Sequence, residues 1–226
     1  MNHQDALARQ RSLRDGQTAR ARLVEGAELD RAAMTEVATT DGVPPRFASL
    51  IKADLIAGSV PHKVADSAIA EMVTPNQDHD GLYVLERTTH HAGRMAGVLY
   101  SAAMVRGRAA RWYNFAEMAS NFTRRIQLDK NSEWDVGEIT DWNVDLDSAW
   151  YCYDLVVVHN VQASLVTPFI GTELYKMLSA RAVRGLYTVV TGQLKSMEEM
   201  WNDAPAIKQL IDDQFAFYPE GRDAGE

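Results

Sequence analysis

From about residue 46 onward, short apolar runs alternate with longer amphipathic stretches. Residues 81–85 (GLYVL), 110–115 (ARWYNF), 153–158 (YDLVVV) and 186–191 (LYTVVT) have the length and the β-branched or aromatic content of buried strands. Between them, residues 92–106 place Met95, Val98, Leu99 and Ala102 on one helical face, and 117–126 and 173–183 also read as helices. Residues 197–217 read as mostly helical, with Pro205 interrupting them. Residues 50–56 and 64–72 form short amphipathic patterns split by Gly58 and Pro61, and a polar loop at 75–80 leads into the first strand. Continuous apolar strands separated by helices predict a parallel sheet covered on both faces, an α/β doubly wound fold.

The first 40 residues follow another pattern. They are rich in Ala, Arg, Glu and Gln, lack aromatics and proline, and space Leu7, Leu13, Leu23, Val24, Leu29 and Met34 too thinly for a wide apolar stripe. Residues 1–24 carry five Arg against Asp5 and Asp15. Two readings are open: a helical arm (residues 1–42 with its linker) that packs on a partner, using Arg9, Arg11 and Arg14, or a solvated terminus. The run Asp41, Gly42, Val43, Pro44, Pro45 is a linker signal, which leaves 43–226 as the α/β domain. Residues 129–147 hold seven acids against one Lys, with Trp134 and Trp142 inside the run and Trp150 beside it. This segment is a partner surface or a long surface excursion whose tryptophans cap the core.

Composition narrows the function classes. The 226 residues suffice for one domain, and a net charge of -8 gives no global cationic footprint, so weak or no DNA binding is expected. A lone cysteine, Cys152, leaves no disulfide framework and reads as a small buried hydrophobe. With no apolar leader and no run of about 18 apolar residues, a cytoplasmic protein with no membrane partner is expected.

The strand at 81–85, the polar stretch ERTTHHAG and the following helix with its Met95-Ala96 pair are arranged as a strand, loop and helix. In this order the chain resembles the helicase-loader and transposase-helper branch of the AAA+ ATPases, the DnaC-like and IstB-like proteins. Residues 111–118 (RWYNFAEM) resemble the family's second strand and its helix, and 153–161 (YDLVVVHNV) its Walker B strand. Residues 174–185 resemble the helix bearing its NRY-x-RG segment, 188–193 (TVVTGQ) its sensor-1 strand, and 43–47 and 217–223 the two limits of its ATPase core. The resemblance implies a P-loop type sheet over 43–223 and a protein partner in replication or mobile-element biology, such as a replicative helicase or an active AAA+ paralogue, with a homo-oligomer also open.

The departures imply that the chemistry is gone. A P-loop needs glycines, a Lys for the β/γ-phosphates and a hydroxyl for Mg²⁺. Laid on that signature, Glu86 stands at the first Gly, His91 at the second, Ala92 at the Lys and Gly93 at the hydroxyl, with Thr88 and Thr89 between. His159 and Asn160 replace the Walker B acids and Gln193 the sensor-1 Asn. The expectation is an ATPase-dead protein with no cofactor and no metal; a His90, His91, His159 cluster is the alternative metal reading. Arg181 and Arg184 are expected to be surface or interface residues, since there is no γ-phosphate for them to sense. Three functions follow: a helicase-loader-like adaptor or inhibitor, a structural subunit or pseudo-ATPase in a mixed ring, and an unconventional nucleotide-binding loader.

Overall fold

The computed structural model describes residues 31–50, 81–86, 89–130, 150–193 and 205–219. Within them lie helix α1 (Arg31–Thr40), strand β1 (Gly81–Glu86), α2 (Thr89–Val105), β2 (Ala110–Asn114), α3 (Phe115–Lys130), β3 (Leu155–Val161), α4 (Pro168–Ala182), β4 (Tyr187–Gln193), α5 (Pro205–Gln214) and β5 (Phe215–Pro219). The five strands form one parallel sheet in the order β2-β3-β4-β1-β5. β3 is buried along nearly its whole length, because a strand with helices on both faces has no solvent side for a polar alternation.

Each face has its own core. α1 and α2 cover one face, where Met34, Ala38, Met95, Leu99 and Ala103 meet Trp112, Leu155, Val157 and Val189. α3, α4 and α5 cover the other, where Phe115, Phe122, Leu174, Met177 and Ile211 meet Val156, Val158 and Val190. The Thr167 hydroxyl accepts from the Ile170 amide to open α4, and Pro168 follows at the first helical position. Gly185 (φ +61) turns the chain out of α4 so that the Leu186 amide returns to the Arg181 carbonyl.

Three expectations are corrected. Of the expected 1–42 arm only 31–42 are described, and there Met34 and Ala38 are buried against the sheet, so the packed unit begins before residue 43. The Asp41–Pro45 run is not a free linker. Asp41 and Val43 are buried, Tyr100 donates to Asp41 Oδ2 at 2.7 Å, and Arg111 lies 3.8 Å from Oδ1. Burial, with the Asp41 carboxylate beside it, pushes the Tyr100 phenol well above its usual range. Pro205 stands at the first position of α5, as its missing N–H allows, and residues 197–204 of the predicted helical stretch lie outside the described residues. Finally, Phe215–Pro219 (FAFYP) is a strand paired with β1, because an aromatic-rich run fits the pleated edge position better than a helix end. The predicted helices at 50–56 and 64–72, Arg9, Arg11, Arg14, and Trp134 and Trp142 lie outside the described residues, apart from Leu50.

Candidate functional site

The topology itself marks one place on the sheet. β1 connects through α2, over one face, to β2 on the far side of β4 and β3, whereas the chain after β4 reaches β5 through α5 on the opposite face. The strand order therefore reverses between β1 and β4, and the crevice beyond their C-terminal ends is where open α/β sheets take ligands. The register places Glu86 beside Gln193 and Gly192 between Leu85 and Val161. The backbone positions of Glu86, Asn160 and Gln193 thus gather on one rim, as their motif assignments require. Thr88 lies outside the described residues, and Glu86, Thr89, His90, His91 and Gln193 are described in backbone only.

The start of α2 shapes this rim. The helix begins at Thr89, so only Arg87 and Thr88 separate it from β1. A P-loop needs a wide turn whose successive amides surround the phosphates; here Thr89, His90 and His91 are already helical. Ala92, at the lysine position, is buried in the core. A Cβ on Gly93, at the hydroxyl position, would lie 2.3 Å from the Phe47 ring, and one on Gly97 would lie 2.4 Å from the Phe47 carbonyl oxygen. The two glycines strip one face of α2, and Phe47 lies in the hollow. Phe47 is fully buried there, 6.0 Å from the Trp112 ring and 5.4 Å from His159, with the exposed Arg46 guanidinium 4.7 Å above it.

His159, at the Walker B position, points toward the same face as Val157 and is 4% exposed, with its ring 5.1 Å from Trp112. Its Nδ1 lies 2.8 Å from Thr191 Oγ1, which also accepts the Asn160 amide at 3.0 Å. Burial first, and the nearby Arg46 second, lower the His159 pKa to about 4. In neutral solution the imidazole is therefore uncharged, and both bonds are satisfied when the Thr191 hydroxyl donates to Nδ1 and the ring proton sits on Nε2. Thr191, Phe47 and Trp112 engage its ring from three sides; the side chains of His90 and His91, which the metal reading also needs, lie outside what the structure describes.

The lowered pKa fixes a sign. An unfolded His titrates near 6.5, so the stability from keeping His159 neutral is complete above that pH. It drains away as pH falls toward about 4, by about 3 kcal/mol in total. Urea unfolding of wild type and His159→Gln at pH 7 and pH 4.5 checks this. The wild type should lose more stability on acidification than the variant; equal losses would mean that His159 titrates normally.

Asn160 follows at a β-bulge, where three steps along β3 (Val158 to Val161) face two along β4 (Val190 to Gly192). It sits in the left-handed region (φ 63), and its buried Oδ1 has no hydrogen-bond partner among the described residues. Neither it nor His159 is a carboxylate, so these positions bring no Mg²⁺-binding charge to the rim.

Arg181 corrects the surface expectation most sharply. It is fully buried at the other end of the sheet, where Nε donates to Thr188 Oγ1 (2.8 Å), Nη1 to the Tyr153 carbonyl (3.1 Å) and Nη2 to the Tyr187 carbonyl (2.8 Å). Burial lowers its pKa to about 9, which leaves it charged at neutral pH. Arg184 is exposed, as expected, and stacks 4.2 Å over Tyr151. Sequence reasoning missed Phe47 and Thr191. The signal for Phe47 was the Gly93 and Gly97 pair: glycines inside a helix cost about 1 kcal/mol each, and their spacing of four puts both on one face, as a close approach needs.

No family model and no curated protein matches the sequence. Among solved structures, a DNA replication initiation factor superposes on 74% of this chain and 49% of its own length, with a TM-score of 0.56 at 9% identity. This chain shares that fold. It spans about half the length of that protein. A candidate primosome component from Streptococcus pyogenes serotype M3 superposes on 85% of this chain and 97% of its own, with a TM-score of 0.57 at 16% identity. At these identities the likeness is one of fold. Among the described residues, no helix is long and apolar enough to cross a membrane.

Proposed function

We propose that this chain is a replication accessory protein of the helicase-loader type, an AAA+-like domain that works by binding a protein partner and does not hydrolyse ATP. The single observation that carries the inactivity is the packing at the start of α2. The positions that serve a lysine and a hydroxyl in a working phosphate loop are occupied by buried Ala92 and by Gly93 pressed on Phe47. The replication assignment is supported by the shared fold with an initiation factor and a candidate primosome component, together with the ordered resemblance along the sequence.

A replicative helicase is the first partner to test. Size-exclusion chromatography of this chain with a replicative helicase should give one co-eluting complex, unchanged by ATP and Mg²⁺. Independent elution would remove the helicase as partner, and a complex that forms only with ATP would contradict the inactivity.

A further inference from the structure

Two residues other than glycine have positive φ among the described residues, Ser49 (φ 59) and Asn160 (φ 63). They are far apart in sequence, yet one chain of contacts joins them. Ser49 is anchored to α1 by the Thr35 hydroxyl, which donates to its Oγ at 2.9 Å. Two residues before it, Phe47 fills the hollow left by Gly93 and Gly97 and rests its ring against His159. His159 meets Thr191 through Nδ1, and the same Thr191 oxygen holds the Asn160 amide in the bulge. Backbone strain of this kind persists only where surrounding contacts over-determine it. Both ends of this contact chain thus depend on the packing between them.

We propose that residues 43–49 are a strap whose Phe47 ring sets the conformation of the Asn160 bulge at the mouth of the strand-end crevice. A partner that draws the strap away reshapes the crevice, and anything that binds the bulge loosens the strap, since such coupling is reciprocal. Pro45 and Arg46 are exposed at the outer corner of the strap, where they are open to capture, while Phe47 and Ala48 behind them are buried. The strap turn is held by the Phe47 and Ala48 amides, both of which donate to the Pro44 carbonyl at 2.8 and 3.1 Å. This inference is independent of the helicase reading.

Amide hydrogen exchange on the full chain, followed by NMR, tests the coupling in both directions. Phe47→Leu removes the ring. Gly97→Ala displaces the strap from the helix side, since the new Cβ would collide with the Phe47 carbonyl. Either variant should speed exchange at Asn160 by about five- to tenfold, the loss of one hydrogen bond, while the Val156–Val158 amides keep their wild-type rates. Thr191→Val should in turn speed exchange at Phe47 and Ala48. An Asn160 rate that stays at the wild-type value in a folded strap variant overturns the proposal. So does one that rises only in step with Val156–Val158, or a Thr191→Val variant with an unchanged strap. If one strap variant does not fold, the other and Thr191→Val still decide.

Discussion

Replacing Arg181 with Met is expected to lower the unfolding free energy by about 3–5 kcal/mol, a large share of what a domain of this size has. The guanidinium reaches three acceptors at once: the Thr188 hydroxyl and the Tyr153 and Tyr187 carbonyls. Together they tie α4 to the starts of β3 and β4. A thioether of similar volume fills the space but donates nothing, and dry acceptors cost about 1–3 kcal/mol each. Arg181→Lys should recover little of the loss, because one ammonium cannot replace a planar fork with fixed directions. Urea denaturation of the three proteins checks this. A Met variant within about 0.5 kcal/mol of wild type would return Arg181 to the surface class.

The second large effect is expected from writing a phosphate-loop signature into the start of α2. Ala92→Lys with Gly93→Thr writes a Lys and a hydroxyl back into their motif positions, and in a merely decayed ATPase it should favour ATP binding. Here it should unfold the protein. Ala92 is 1% exposed, so the new ammonium enters a core with no room for its hydration shell. The new threonine Cβ collides with a Phe47 ring that is itself locked against Trp112 and His159. Overpacking costs about 1–3 kcal/mol and a buried unpaired charge several more. Circular dichroism melts and size-exclusion chromatography should show loss of the cooperative transition or aggregation. A folded double variant that binds ATP would mean that the strap only covers a phosphate site that is still formed.

The parts of the fold legible in the sequence are those written in local pattern. β1, β3 and β4 announce themselves because central parallel strands are apolar on both faces, and GLYVL, LVVV and YTVVT carry that run without interruption. β5 was hidden because FAFYP follows an amphipathic helix with no turn residue between them. α1 shows no wide apolar stripe in the sequence because its contact face is narrow and built from Met34 and Ala38. The Asp41–Pro45 run reads in sequence as a linker, because pattern alone does not say that such a break lies buried against the sheet.

Of the candidate site the strand ends were legible: the register gathers the backbones of Glu86, Asn160 and Gln193 on one rim, because strand order and strand ends are properties of the fold. The role of Gly93 was not, since a motif position asks what a residue lacks and not what presses against it. Arg181 was misplaced for a general reason: arginines are almost never fully buried unless partnered, and its partners are backbone carbonyls and a threonine that no charge pattern reveals. His159 reads in sequence as a possible ligand and in three dimensions as a neutral core residue, a difference made by Phe47 and Thr191 from distant segments.

The most direct test of the central claim, that packing fills the place of the phosphates, is calorimetric titration of the wild-type chain with ATP and Mg²⁺ to about millimolar concentration. The account predicts no saturable heat and a melting temperature that ATP does not move, since dissociation constants weaker than about 1 mM leave little trace at that concentration. A saturable isotherm with a dissociation constant near 10 μM, about 7 kcal/mol of binding free energy, would contradict it. The start of α2 would then have to open into a phosphate site.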